Sequence, residues 1–280
     1  MTAAPPAAGS GVVRKPTTVY DGYALDLDGT VYLDDSLLPH AGEAVRRLRE
    51  LGARVVFATN KPLEDSAAYA AKLSELGIPA EPEDVVTALD SLMGYLAREH
   101  RGARVLTIAE PLVDAVCRRS GLRVVTDPQD TDVVLVSFDR GFTYAKLLAA
   151  YQAVRAGAVI VATNPDPYCP TADGGLPDCA AMLAALEACT GRTAEVVAGK
   201  PSRLMGEALL ARLDVPAGRA AMVGDRLATD VVMGQRLGMA GVLALSGATS
   251  ASDLSLSDVR PDFVISTLAD LLPAPAEGPR

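Results

Sequence analysis

Short apolar runs alternate with amphipathic stretches along most of the chain. Val19, Tyr20, Tyr23 and Leu25 give the β-branched and aromatic character of a buried strand, which stops at Asp26 and Asp28. Ala41, Ala44, Val45, Leu48 and Leu51 recur with helical spacing and form one face, which Gly52 closes. Val55–Ala58 is the next buried strand and ends at Thr59 and Asn60. Pro62 then suits the first turn of a second helix, apolar at Ala68, Ala71, Leu73 and Leu76. The alternation continues with a helix over 88–100, strands at 104–108, 123–125 and 133–136, and a helix over 112–119. A helix over 144–155, a strand over 159–162 and a Pro/Asp/Gly-rich loop over 165–178 come next. An Ala/Leu-rich helix to Thr190, a stretch at 195–197 and a helix over 204–213 follow. The last strands are expected at 220–223, 242–245 and 263–265. Strands separated by helices predict a parallel sheet with helices on both faces, an α/β fold.

The length of 280 residues allows one large domain or two of ordinary size. The 49% apolar and 22% charged content is that of a globular protein. A net charge of −9 argues against a nucleic-acid partner, which needs a basic face. An anionic substrate must therefore be attracted by local charge. No apolar run approaches the ~20 residues of a membrane span, so no membrane partner is expected. The N-terminal stretch lacks a signal-peptide core. Residues 1–18 and 273–280 read as flexible Ala/Pro/Gly tails. The 4 cysteines are scattered, as suits free thiols in a reducing cytoplasm, and no catalytic thiol is suggested.

Chemistry-bearing residues gather at the ends of the expected strands. In an extended chain, residues two apart share a face, so Asp26 and Asp28 stand together. Two such carboxylates repel unless a cation or a proton lies between them. Thr59 and Asn60 end the next strand, Lys200 follows Gly199, and Asp225 ends a strand shortly before Asp230. In open parallel sheets the carboxyl ends of the strands form the ligand crevice. Carboxylates suit Mg²⁺, and a lysine with a hydroxyl donor suits phosphate oxygens. Each piece also has an ordinary reading. Asp225 and Asp230 fit a turn and a helix cap, Thr59 and Asn60 another cap, and Lys200 a surface charge.

Asp-Leu-Asp-Gly-Thr-Val-Tyr (26–32), Ala-Thr-Asn-Lys-Pro (58–62), Gly-Lys-Pro-Ser (199–202) and Gly-Asp-Arg-Leu-Ala-Thr-Asp (224–230) occur in that order. Together they resemble the four motifs of the haloacid dehalogenase superfamily, most closely its class IIA, the NagD-like phosphatases. The resemblance spans roughly residues 19–272. It implies a Rossmann-like core, 19–85 and 194–272, with an inserted α/β cap domain over 86–193. It implies Mg²⁺-dependent hydrolysis of phosphomonoesters through an aspartyl-phosphate. Asp26 would be the nucleophile and Asp28 the general acid and base. Asp26, the Asp28 carbonyl and Asp225 would hold Mg²⁺. Thr59, Asn60 and Lys200 would hold the phosphate, with Lys200 also neutralising the nucleophile. Asp230 would orient Lys200 or a metal-bound water, and Thr30 would fix the turn that aims Asp28.

Residues 48–60 and 154–164 both end in Ala-Thr-Asn, which offers Thr59 and Thr163 as alternative phosphate ligands. Thr59 needs only one strand–helix–strand link from Asp28 and is preferred. Asp139, Arg140, Asn164, Asp166, Tyr168 and Asp178 are then the cap residues to watch. Asp139 and Arg140 could instead form a structural ion pair, and Tyr168 and Asp178 could be loop residues without a contact. Asp178-Cys179-Ala180 departs from the Gly-rich sequence usual in relatives. The expected substrate is a small phosphorylated metabolite, a sugar or polyol phosphate. The alternatives are a nucleoside 5′-monophosphate, which the 4% aromatic content disfavours, and a non-catalytic phospho-metabolite-binding regulator. Relatives often dimerise through the cap, so a homodimer is expected.

Overall fold

The structure is a computed structural model that describes residues 12–169 and 175–272. Chain contacts divide it into two compact units. One comprises residues up to 58, 67–86 and 206 onward; the other comprises 59–66 and 87–205. The sequence expectation drew the cap boundaries at 86 and 193. Residues 194–205 instead group with the second unit, because Val196–Val197 pairs with Val159–Ala162.

The first unit is built on a six-stranded sheet. Its order is Phe263–Ile265, Ala240–Ala244, Ala220–Gly224, Gly22–Asp26, Arg54–Thr59 and Val85–Thr87. The pairings from Phe263–Ile265 through Arg54–Thr59 are parallel. Tyr23, Leu25, Val55, Phe57, Ala221, Val223, Val242 and Ala244 point to one face of the sheet. There they pack with Ala41, Ala44, Val45 and Leu48 of the helix Ala41–Glu50. That is the helical face expected from the sequence, except at its last position. Leu51 lies beyond the helix and is 48% exposed. Gly52 follows with φ of 88°, a left-handed conformation that only glycine takes without a Cβ penalty.

The second unit carries a five-stranded parallel sheet. Its order is Val196–Val197, Val159–Ala162, Val133–Val136, Arg104–Ile108 and Arg123–Val124. Its central strand alternates strictly. Val133 and Leu135 pack with the helices Ala88–Glu99 and Pro111–Arg119, whereas Val134 and Val136 pack with Tyr144–Ala156 and Cys179–Thr190. Both faces are covered, which is why these strands read as unbroken apolar runs.

Three local expectations change. Pro62 does not open a helix; the helix runs Ser66–Glu75 and residues 61–65 form its approach. The loop over 165–178 contains a short antiparallel pairing of Tyr168–Cys169 with Leu176–Pro177. The N-terminal tail was expected to reach residue 18, and its first 11 residues lie outside the described residues, as does the C-terminal tail 273–280. Arg14 exchanges two backbone hydrogen bonds with Val264, and Lys15 pairs with Asp270 at 2.6 Å. The chain is therefore anchored to the sheet edge well before residue 18. No helix among the described residues is long and apolar enough to cross a membrane.

Candidate active site

In the first unit the carboxylates of Asp26, Asp225 and Asp230 converge, with oxygens all within 4.8 Å of one another and all three residues buried. Parallel register accounts for the first two. Leu25 lies beside Val223, so the carboxyl ends of the two adjacent strands deliver Asp26 and Asp225 together. Asp230 arrives differently. The segment Leu227–Val231 winds as a wide π-type turn, with the Val231 N–H reaching back to the Arg226 carbonyl at 3.4 Å. Asp230 is 0% exposed, and one of its carboxylate oxygens accepts from Arg226 N and Thr229 Oγ1, each at 3.2 Å.

Glycines make the space for these side chains. A Cβ on Gly224 would collide with the Asp230 carboxyl group, and one on Gly29 or Gly247 would collide with that of Asp225. Gly29 also sits at φ 81°, so the turn after Asp28 requires glycine on two counts. Ala248 N donates to Asp225 at 2.6 Å, and Ser246 Oγ donates to the Gly29 carbonyl at 2.8 Å. Sequence reading passed over this Ser246–Ala248 loop. Its signal was available, because it follows the carboxyl end of a neighbouring strand. Asp28 is half-buried at the start of a tight turn in which the N–H groups of Thr30, Val31 and Tyr32 all point to the Leu27 carbonyl. The turn is thus held by backbone. The Thr30 hydroxyl is buried and makes no hydrogen bond among the described residues, so its expected part in fixing the turn is not seen.

Three buried carboxylates this close repel one another unless a cation lies among them. Clustered carboxylate oxygens are the donor set a hard divalent ion prefers, so the residues present fit Mg²⁺. Asp230 belongs to this cluster through its own carboxylate.

In the second unit, Thr59, Asn60 and Lys200 are brought near one another by hydrogen bonds that span the sequence. Asn60 Oδ1 accepts from Lys200 N at 2.7 Å, and Asn60 Nδ2 donates to the Lys200 carbonyl at 3.1 Å. Thr59 Oγ1 accepts from Lys61 N at 3.1 Å. Thr163, the alternative phosphate ligand, is wholly buried, with its hydroxyl donating to Ser137 Oγ at 3.0 Å.

The expected cap residues separate into groups. Asn164 Nδ2 donates to the Asn60 carbonyl at 2.9 Å, and Asp166 accepts from Asn60 Nδ2 at 2.8 Å. Asp178 is the N-cap of the helix Cys179–Thr190 and accepts from Cys179 N at 2.6 Å. Burial among apolar neighbours pushes the Cys179 thiol up to about 11, with nearby Asp178 adding to the rise. Asp139 and Arg140 do not pair with each other. Lys146 binds Asp139 at 2.6 Å, and Glu110 binds Arg140 at 2.9 Å. The hydrogen bonds from the Arg140 side chain and backbone hold the Glu110 carboxyl below its usual range. Tyr168 is 49% exposed.

A family model described as haloacid dehalogenase-like hydrolase matches residues 23–123, and a second model of HAD-hydrolase-like proteins matches 197–271. The chain is 33% identical to sugar-phosphatase AraL of Bacillus subtilis over 258 residues, covering 92% of this chain and 94% of that one. It belongs to the haloacid dehalogenase-like hydrolases, within their NagD-like phosphatases. The chain is also 32% identical to 5′-nucleotidase YutF of Bacillus subtilis, covering 91% of this chain and 98% of that one. A glycerol phosphate phosphatase from Mycobacterium tuberculosis, solved in complex with magnesium, is 34% identical with a TM-score of 0.83. The match covers 92% of this chain and 78% of that one. As a haloacid dehalogenase-like phosphatase the chain is a phosphoric monoester hydrolase that uses Mg²⁺.

Proposed function

We propose that this phosphatase hydrolyses sugar or polyol phosphates, with Asp26 as nucleophile and Asp28 as proton donor and acceptor. The convergence of the buried carboxylates of Asp26, Asp225 and Asp230 is the observation that carries this reading. The Asp26 carboxylate attacks phosphorus, the bond from phosphorus to the ester oxygen breaks, and Asp28 gives its proton to that oxygen. Asp28 then takes a proton from water as the water attacks the aspartyl-phosphate, which releases inorganic phosphate and restores Asp26. Asp26, the Asp28 carbonyl, Asp225 and Asp230 would hold Mg²⁺, which supplies charge neutralisation to the transferring phosphoryl group. Thr59, the Asn60 backbone and Lys200 take the phosphate oxygens.

The substrate class rests on similarity to the sugar phosphatase and on ion pairing within the cap. The charges of Arg140 and Lys146 are each answered by a carboxylate, which favours a neutral, hydroxyl-bearing group beyond the phosphate. A second reading, a nucleoside 5′-monophosphate, is favoured by the exposed rings of Tyr144 and Tyr168, at 79% and 49%, and by similarity to the nucleotidase. A cytoplasmic site fits four free cysteines, and a homodimer through the cap remains part of the proposal.

Purified protein is expected to release phosphate from p-nitrophenyl phosphate with Mg²⁺, and Asp26→Asn to abolish this. Turnover that persists in Asp26→Asn refutes the mechanism. A panel of sugar phosphates against UMP, compared by kcat/KM, decides the substrate. Binding of panel members without any phosphate release would support a non-catalytic regulator instead.

A further inference from the structure

Lys200 is 4% exposed and ends a loop that follows the edge strand Val196–Val197. A lysine at the end of four rotatable bonds is a poor positioner of charge unless its backbone is fixed. Here both backbone polar groups of Lys200 are taken by one side chain. Asn60 Oδ1 receives the Lys200 N–H at 2.7 Å, and Asn60 Nδ2 donates to the Lys200 carbonyl at 3.1 Å. The second Nδ2 hydrogen goes to Asp166 at 2.8 Å, which fixes the orientation of the amide. The Asn60 backbone is held in turn by Asn164 Nδ2 at 2.9 Å.

The preceding residue is seated just as closely. Gly199 N donates to the Thr163 carbonyl at 2.6 Å. A Cβ on Gly199 would lie 2.5 Å from Asn60 Oδ1 and 2.9 Å from the Thr163 carbonyl oxygen, so only glycine lets the loop approach the amide. We infer that the Asn60 side chain is a positioning residue that sets Lys200 for phosphate. Asp166 and Asn164 lock it from behind rather than meeting substrate. This inference rests on the proposed role of Lys200. It adds a task for Asn60 separate from its backbone N–H, because alanine at position 60 keeps that N–H.

The test is a double-mutant cycle on p-nitrophenyl phosphate with saturating Mg²⁺, run at high enzyme concentration so that weak variants stay measurable. Positioning partners of this kind commonly carry factors of about 10 to 100. Asn60→Ala is expected to lower kcat/KM by that much in the otherwise native protein. In a Lys200→Ala background the same change is expected to cost less than about twofold, because there is no ammonium left to position. A merely structural role would lower both backgrounds equally. Should Asn60→Ala fail to fold, Gly199→Ala perturbs the same clamp from the other side and is expected to show the same loss and the same dependence on Lys200. Equal losses in both backgrounds, or no loss in the native background, would overturn the inference. If Lys200→Ala alone leaves kcat/KM unchanged, the proposed role of Lys200 fails first, and the inference with it.

Discussion

The carboxylate cluster makes a prediction with an unusual sign. Asp26, Asp225 and Asp230 place oxygens within 4.8 Å of one another. At an effective dielectric of about 20, each pair of charges at that distance repels by about 3.5 kcal/mol. Metal-free protein carries this repulsion as a destabilising term that the metal removes. Asp225→Asn has nearly the same shape, can still accept from Ala248 N, and abolishes two of the three repulsions. In EDTA this variant is expected to melt at a higher temperature than the native chain, although it removes a catalytic-site residue. With Mg²⁺ at about 100 times its Kd, the native chain gains about 2.7 kcal/mol. For a chain of this size that is roughly 5–11 °C in Tm. Asp225→Asn is expected to gain less than about a quarter of that. Differential scanning calorimetry in EDTA and in Mg²⁺ reads all four values. If Asp225→Asn is less stable than the native chain in EDTA, or responds to Mg²⁺ equally, the cluster does not work as a metal site.

Gly224→Ala drives a methyl group into the Asp230 carboxyl and is expected to lower kcat/KM by about 100-fold or more, as displacements of about 1 Å do. Leu48→Ala empties a fully buried position in the first unit and is expected to cost about 2–5 kcal/mol, seen as a lower urea midpoint. The Arg104 guanidinium beside Asp132 holds its carboxyl down to about 2. A carboxylate pKa depressed on folding adds stability above its unfolded value near ~3.9, and that stability is lost as pH falls through the folded value. Asp132→Asn is therefore expected to be modestly less stable at pH 7, with the difference shrinking below about pH 4 and gone near pH 2. Convergence at high pH instead would refute the pairing. Burial holds the thiols of Cys117 and Cys179 up to about 12 and about 11, whereas Cys189 is exposed. A thiol reagent at pH 8 is expected to label Cys189 fast and the three buried cysteines only on unfolding.

The parallel sheets and the first carboxylates were readable because strand periodicity and strand ends are local properties. Asp26 and Asp225 each close an apolar run, and parallel pairing of those runs suffices to bring them together. Asp230 depends on a finer feature. A single π-type turn shifts every side chain after it by part of a helical turn, and no residue pattern in Leu227–Val231 announces it. Asp178 carries a local signal of another kind. Aspartate just before an Ala/Leu-rich run is a helix cap, and that is its position.

The longest-range contact is the most informative for function. Asn60 and Lys200 are 140 positions apart, and each was recognised only for its own contact with phosphate. Asn164 and Asp166 were expected to face substrate from the resemblance to class IIA. Polar side chains at strand ends have two possible employers, the ligand and the neighbouring loops, and sequence does not say which. Asn60 is half-buried, and its amide gives both donors and one acceptor lone pair to protein groups. Asn164 and Asp166 each bond Asn60, and the more exposed groups of the same unit are further candidates for substrate choice. Tyr144 and Tyr168 are the aromatic ones among the described residues, and their removal should change nucleotide turnover more than sugar-phosphate turnover. If Tyr168→Ala and Tyr144→Ala lower kcat/KM for UMP and for a sugar phosphate by the same factor, discrimination does not reside in these rings.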